Sequence, residues 1–127
     1  MKKLLLFTSL IELSLGIALI FSPSAVLQLL FGTEDTGSII VLARFTGIVF
    51  LCFSIACFPT GKSNDANVFS TTFKAMFLYN FLAAVYLANM RFIENFDGVL
   101  LLPAVIFHSL ITVYFMYVFL KVKRSIK

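Results

Sequence analysis

Residues 4–24 read LLLFTSLIELSLGIALIFSPS. This apolar run approaches the ~20 residues with which a helix crosses ~30 Å of hydrocarbon, so it predicts a membrane span ending near Phe21. Glu12 is the one charged residue within the run. Ser22 and Pro23 follow it, a pair typical of an N-cap and of the first position of a new helix. We therefore expect a short second helix over residues 22–31 that lies at the interface on the outer side of the membrane and ends at Gly32.

Three more apolar runs follow this first span, which covers about residues 3–21. They occupy about residues 39–58, 67–90 and 99–120, and the chain as a whole is 61% hydrophobic with a mean hydropathy of +1.03. Soluble domains are only about 45–50% apolar. Because a backbone in lipid must satisfy its own hydrogen bonds, these runs predict helices. The predicted fold is all-α, a single domain forming an integral membrane four-helix bundle with a short interfacial helix after the first span. Pro59 should end the second span, and Pro103 marks either a later start of the fourth helix or a kink in it.

Basic residues are distributed unevenly between the two sides of this four-span arrangement. The amino end, the second link and the carboxyl end carry Lys2, Lys3, Lys62, Lys121, Lys123, Arg124 and Lys127, whereas the first and third links carry Arg91 with Glu34, Asp35, Glu94 and Asp97. The positive-inside rule then predicts that both termini and the 59–66 link are cytoplasmic. The lipid bilayer is the expected surrounding, and nothing in the pattern indicates nucleic-acid binding.

Each apolar run contains a strongly polar residue. A charge at the bilayer centre costs roughly 2.5–3.5 kcal/mol on insertion scales, so such residues usually face the protein interior and pair. The helical rise of 1.5 Å per residue places Glu12 about 13 Å from the inner end of its span and His108 about 15 Å from the outer end of its own, which predicts one polar layer. Arg44 and Asn80 both fall about 21 Å from the inside, which predicts a second layer nearer the outer surface.

Helical periodicity suggests which of these residues face one another. Arg44 shares a face with Gly47, Leu51 and Ser54, and Glu12 shares one with Ser9 and Gly16. The small residues on both faces permit close helix approach in lipid, so we predict that Glu12 and Arg44 interact, directly or through one water or ligand group. On the third span Tyr79 and Tyr86 share a face beside Asn80. Lys74 is turned about 120° from Asn80 and either joins the site or snorkels to the headgroups.

These residues have two interpretations. In the first, each residue is structural. Glu12 and Arg44 form an ion pair that fixes the helix register, His108 is a hydrogen-bonded core histidine, and Asn80 joins helices through its amide. Alternatively they meet at one ligand site, with donors, an acceptor and an imidazole in an apolar pocket. The predicted ligand-binding residues are Glu12, Arg44, Asn80, His108, Tyr79 and Tyr86. No metal site or cofactor is predicted, since one histidine without companions is a poor metal ligand set, although a lipid or quinone-like molecule fits such a pocket.

The sequence also resembles the DoxX-like group of small four-helix bacterial membrane proteins. The matching residues are Ile11-Glu12-Leu13 with Gly16, Pro23 after the first span, and Arg44 with Gly47, so the resemblance covers roughly the first half of the chain. The resemblance implies a compact four-helix bundle with the Glu12 region facing inward, in a bacterial cytoplasmic (inner) membrane. The group is functionally mixed, and some members are tied to quinone-linked oxidoreductase complexes or act as accessory proteins.

Three functions follow from these patterns. The one we favour is noncatalytic: binding, with transport as an extension, of a small amphiphilic or lipid-like molecule at the intramembrane polar site. The second is an accessory or assembly subunit of a membrane complex, either quinone-linked or of another kind, with the chain acting as a homo-oligomer or within a larger assembly. The third is a small membrane enzyme that uses Glu12 or His108 as its acid or base. No nucleophile elbow, phosphate loop or metal cluster in the sequence supports the third.

Overall fold

The computed structural model describes the backbone of residues 2–33, 37–62 and 66–125, and the side chains of residues 3–33, 37–58 and 70–121. All regular structure in these ranges is helical: α1 (Lys2–Phe21), α2 (Pro23–Phe31), α3 (Ser38–Lys62), α4 (Ala66–Phe92) and α5 (Leu101–Ser125). Helices α1, α3, α4 and α5 are long and apolar enough to cross a membrane. The predicted all-α class and the four long apolar helices are thus confirmed. The predicted links over 33–38 and 59–66, and the basic carboxyl end at Lys127, lie partly outside the described residues.

The short second helix is separated from α1 at Ser22. The Ser22 N–H donates to the carbonyl of Ala18 at 2.8 Å, and the Ser22 carbonyl accepts from the N–H of Val26 at 3.2 Å. The backbone thus closes one helix and opens the next, while the Ser22 side chain makes no capping hydrogen bond. Gly32 ends α2 in the left-handed region, with φ +71°, and its N–H donates to the carbonyl of Gln28. This conformation suits glycine because it carries no Cβ.

The two prolines in the long helices behave differently from one another. The predicted stop at Pro59 is wrong, because α3 continues to Lys62. A proline in a helix lacks its own N–H hydrogen bond, and the turns on either side can persist around that single defect. Helix α5 begins at Leu101, two residues later than the predicted span, so Pro103 lies in its first turn. The N–H groups in the first turn of a helix have no acceptor within the helix, so the N–H that Pro103 lacks costs no hydrogen bond. Of the two alternatives predicted for Pro103, a later helix start or a kink, the later start is the one observed.

The long helices pack mainly in two pairs, α1 with α3 and α4 with α5. Helices α1 and α3 cross where Gly16 faces Gly47. A Cβ added to Gly16 would lie 2.9 Å from the Gly47 carbonyl oxygen, and one added to Gly47 would lie 2.8 Å from that of Gly16. Nearby, the Ser54 hydroxyl donates to the Ser9 carbonyl at 2.7 Å. The small residues predicted to admit a neighbouring helix therefore do so between α1 and α3.

Apolar side chains from all four long helices fill the space at one end of the two pairs. This cluster consists of Leu5, Cys57, Phe73, Met76, Ile111, Phe115 and Val118. At the other end, α2 docks on the segment that joins α4 to α5. The Leu100 N–H donates to the Leu29 carbonyl at 2.8 Å, and Gly98 lies so close to the backbone of Leu30 that a Cβ there would clash. The region between the filled end and α2 is left open.

Candidate ligand site between the helix pairs

A hydrogen bond joins the two helix pairs near the middle of the protein. The Tyr79 hydroxyl, on α4, donates to Oε2 of Glu12, on α1, at 3.1 Å. Glu12 is only 3% exposed. Oε1 of Glu12 has no hydrogen-bond partner among the described residues. In these residues, every side-chain oxygen or nitrogen that is fully enclosed does have a hydrogen-bond partner. This second carboxylate oxygen therefore retains access to open space.

A second hydrogen bond joins α4 to α5. Nδ1 of His108 and Oδ1 of Asn80 lie 2.9 Å apart, and the amide nitrogen of Asn80 donates to the Met76 carbonyl at 2.8 Å. Because that carbonyl can only accept, the amide orientation is fixed and its oxygen must face the imidazole. The proton of this bond then lies on Nδ1. In the neutral ring Nε2 is left as an acceptor.

The ring of Tyr79 is held in an aromatic environment that links the two hydrogen bonds. It makes edge contacts with Phe50 and Phe53 of α3, at centroid distances of 6.0 and 5.5 Å, and with the imidazole of His108 at 5.8 Å. Such tilted ring pairs are favourable beyond their buried area. They also leave the tyrosine ring little freedom, so its hydroxyl stays directed at Glu12.

A cavity of about 1140 Å³ extends from these polar groups towards α2. Its lining residues run from Ile11 to Leu19 on α1, from Tyr79 to Met90 on α4 and from Pro103 to His108 on α5. Glu12, Tyr79 and His108 therefore stand near the end that is farthest from α2, and the walls are mainly aliphatic and aromatic. Leu42 and Tyr86 also line the space and are 62% and 58% exposed, so the cavity is open to the surface. An apolar cavity with a few polar groups at one end is the usual form of a small-molecule site.

The structure brings together four of the six predicted site residues. Glu12, Tyr79, Asn80 and His108 form the two hydrogen-bonded pairs described above, and Tyr86 lines the cavity nearer to α2. Asn80 is 1% exposed and reaches His108 directly. The prediction that Asn80 occupies a separate layer from His108 is therefore wrong. The depth estimate assumed four level, upright helices with the predicted bounds, whereas α4 runs to Phe92 and α5 begins only at Leu101.

Arg44 lies outside the site. Its side chain is exposed, and it forms no ion pair with Glu12, both being described residues. The predicted direct contact between the two is therefore wrong. The buried stripe of α3 contains Ala43, Gly47, Ser54 and Cys57, and Arg44 is turned about 100° from Ala43 on a helix of 3.6 residues per turn. Lys74 is exposed as well, which leaves it outside the polar site.

The sequence alone did not identify the residues that shape the cavity. These are the aromatic walls Phe50 and Phe107 and the face of α2 that includes Val26 and Leu30. With 16 phenylalanines in the chain, the sequence pattern does not distinguish cavity walls from lipid-facing positions. One usable signal was present, the Ser22-Pro23 break, which places α2 across the end of the two helix pairs.

No group of three or more histidine, cysteine, aspartate or glutamate side chains that could hold a metal ion occurs among the described residues. Comparisons with protein-family models, curated proteins and solved structures gave no match to this chain. The arrangement of the site is therefore the basis for a functional assignment.

Proposed function

We propose that this chain is a noncatalytic, multi-pass membrane protein that binds a small amphiphilic molecule in the cavity between its two helix pairs. The observation that carries the proposal is the cavity of about 1140 Å³, apolar along its length and closed at one end by Glu12, Tyr79 and His108. The apolar part of the ligand lies along the walls towards α2, and its polar end meets these three side chains. Ligand pockets typically measure ≈ 300–1,000 Å³, so the space suffices for a lipid-like molecule.

Membrane insertion is supported by the outward faces of the long helices. They carry large apolar side chains such as Phe45, Val113 and Val41, each more than half exposed. Contiguous apolar surface of this kind is expected against lipid rather than water. We propose that the chain lies in a bacterial inner membrane, as the DoxX-like resemblance implies. The distribution of basic residues supports cytoplasmic termini, with α2 at the outer interface. Reporter fusions after Thr33 and after Lys127 should report opposite sides; the same side for both contradicts this topology.

The opening of the cavity fits a ligand that arrives from the bilayer. Helices α3 and α4 contact each other far less than the helices within each pair do. Leu42 of α3 and Tyr86 of α4 are largely exposed although they line the cavity. We propose that a lipid-like molecule enters between these two helices. Transport would require a second opening, and binding is the part of the hypothesis that the geometry supports.

The alternative functions receive less support from the geometry. An accessory or assembly subunit, the role implied by the DoxX-like resemblance, needs no internal space, whereas this interior holds a large cavity. An enzyme needs a reacting group beside its acid and base. Ser14 and Thr46 line the cavity, yet their hydroxyls donate to backbone carbonyls of their own helices. Neither forms a pair with Glu12 or His108.

Native mass spectrometry of mildly extracted protein tests the proposal. We expect a bound molecule in the wild-type protein and its loss from Ala83→Phe, which fills the cavity from α4. The matched control is Ala75→Phe, which adds the same ring at an exposed position of the same helix. Equal occupancy in both variants would place the ligand elsewhere and contradict the proposal, as would an unoccupied wild-type protein that fails to bind any added amphiphile.

A further inference from the structure

The polar end of the cavity presents acceptors rather than donors. The Tyr79 proton is already committed to Oε2 of Glu12, and the Nδ1 proton of His108 to Asn80. What remains towards the open space is Oε1 of Glu12 and, in the neutral imidazole, Nε2 of His108, both of which can accept a hydrogen bond. A ligand head that donates or carries positive charge complements these atoms. A head that only accepts does not.

The charges around the site also favour a positively charged ligand head. Glu12 is the one acidic residue among the described lining residues, and they include no lysine or arginine. The cations whose side chains the structure describes point elsewhere: Lys3, Arg44, Lys74 and Lys121 are exposed, and Arg91 donates to the Phe96 carbonyl at 2.9 Å. A buried carboxylate in a membrane normally has a partner of opposite charge. The described part of the protein does not supply one here.

Aromatic rings surround the same end of the cavity. Phe50 and Phe107 line the cavity, and their rings lie against those of Tyr79 and His108, at centroid distances of 6.0 and 5.4 Å. The electron-rich faces of such rings attract cations, most strongly when the cation is removed from water. An anionic head, such as a phosphate or carboxylate, would meet Glu12 and these rings without a compensating lysine or arginine among the described lining residues.

We infer that the ligand is a cationic amphiphile, a molecule with an apolar tail and an ammonium-type head that pairs with Glu12 between aromatic rings. The inference rests on the proposed function, since it names the class of molecule that the same cavity binds. The ligand itself provides the positive charge that Glu12 lacks among the described residues.

Three probes with the same tail and different heads test the charge preference: dodecylammonium, dodecanol and dodecanoate. Binding is measured by native mass spectrometry and by the thermal stabilisation of purified protein in uncharged detergent, at concentrations that leave the detergent micelles intact. We expect dodecylammonium to bind at least about tenfold more tightly than the other two, a difference of about 1.4 kcal/mol. Equal affinity of the three probes, or a preference for dodecanol or dodecanoate, would overturn the inference.

The variant Glu12→Gln tests the role of the carboxylate. Its amide oxygen can still accept from Tyr79, while its amide nitrogen replaces the free acceptor with a donor, so the preference for dodecylammonium should disappear. Glu94→Gln makes the same chemical change at an exposed position outside the cavity and should leave the preference intact. A preference that survives in Glu12→Gln contradicts the inference. If that variant does not fold, the head-group series on the wild-type protein decides the question.

Failure of the proposed function gives a different result. If none of the three probes is lost from Ala83→Phe while Ala75→Phe behaves like the wild type, the cavity is not the binding site and both proposals fail. If all three are lost from Ala83→Phe but bind the wild type equally, the cavity binds amphiphiles and only the cationic preference is wrong.

Discussion

The Tyr79 hydroxyl donates to the Glu12 carboxylate across 3.1 Å and so joins two helices, α4 and α1, that otherwise belong to separate packed pairs. The bond stands beside the cavity and fixes one carboxylate oxygen while leaving the other accessible. The bond therefore contributes to the stability of the protein, and it also sets the direction in which the free oxygen of Glu12 points.

Replacing Tyr79 with phenylalanine should destabilise the protein by about 1–3 kcal/mol, because it leaves a buried carboxylate without its donor. The contacts of the ring with Phe50 and Phe53 can remain, so the loss reports the hydroxyl. Thermal unfolding in detergent measures it. Tyr117→Phe, at a position that is 59% exposed, is the control and should change stability by less than about 0.5 kcal/mol. Equal effects of the two changes would mean that the bond to Glu12 contributes nothing.

Asn80 and His108 should be energetically coupled. Asn80→Leu leaves Nδ1 of His108 without its acceptor, and His108→Leu leaves the Asn80 oxygen without its donor, so each single change loses the same bond. The double variant loses it only once. Hydrogen bonds between membrane helices contribute about 0.6 kcal/mol on average and up to about 1.7 kcal/mol in double-mutant cycles, and we expect a coupling energy in this range. Strictly additive losses would show that the two side chains do not interact.

Gly47→Ala should weaken the packing of α1 on α3. The new Cβ would lie 2.8 Å from the carbonyl oxygen of Gly16 and 3.0 Å from side-chain atoms of Leu19 and Ile20, so the two backbones would have to separate. We expect a loss of about 1–3 kcal/mol, the usual cost of overpacking. Cys52→Ala, an exposed change on the same helix, is the control and should be nearly neutral. A Gly47→Ala protein as stable as the wild type would contradict the close crossing.

The residues that could be placed from the sequence are those whose burial carries a physical penalty. Glu12, Asn80 and His108 interrupt long apolar runs, and the cost of polar groups in lipid requires them to face inward and pair. Ser22-Pro23 gave the end of α1 because a proline cannot continue a helix without losing a hydrogen bond. The end of α3 was predicted too early, since packing can retain a helix through the one bond that Pro59 lacks. The start of α5 was predicted two residues too early, because Val99 and Leu100 are as apolar as the helix that follows them.

The partner of Glu12 could not be derived in the same way. Periodicity groups residues by face, but the α3 stripe can be centred on Arg44 or on Ala43 with similar agreement, since both stripes include Gly47 and Ser54. The choice depends on how α3 packs against α1, which is a tertiary property. A long arginine side chain can also reach polar surroundings from an outward position, so its charge does not force it inside.

The last prediction concerns this pair. Because Arg44 is exposed and makes no ion pair with Glu12, the variants Glu12→Gln and Arg44→Gln should have independent effects on thermal stability in detergent. Independent sites add within about 0.3–0.5 kcal/mol, so the double variant should lose the sum of the two single losses. If the residues were instead joined through a water molecule or a ligand group, removing one would leave the other charge uncompensated. The two single losses of stability would then add up to more than the loss in the double variant. A coupling energy above about 1 kcal/mol would therefore bring Arg44 into the site. It would also supply Glu12 with a cation from the protein and remove the reason for expecting a cationic ligand.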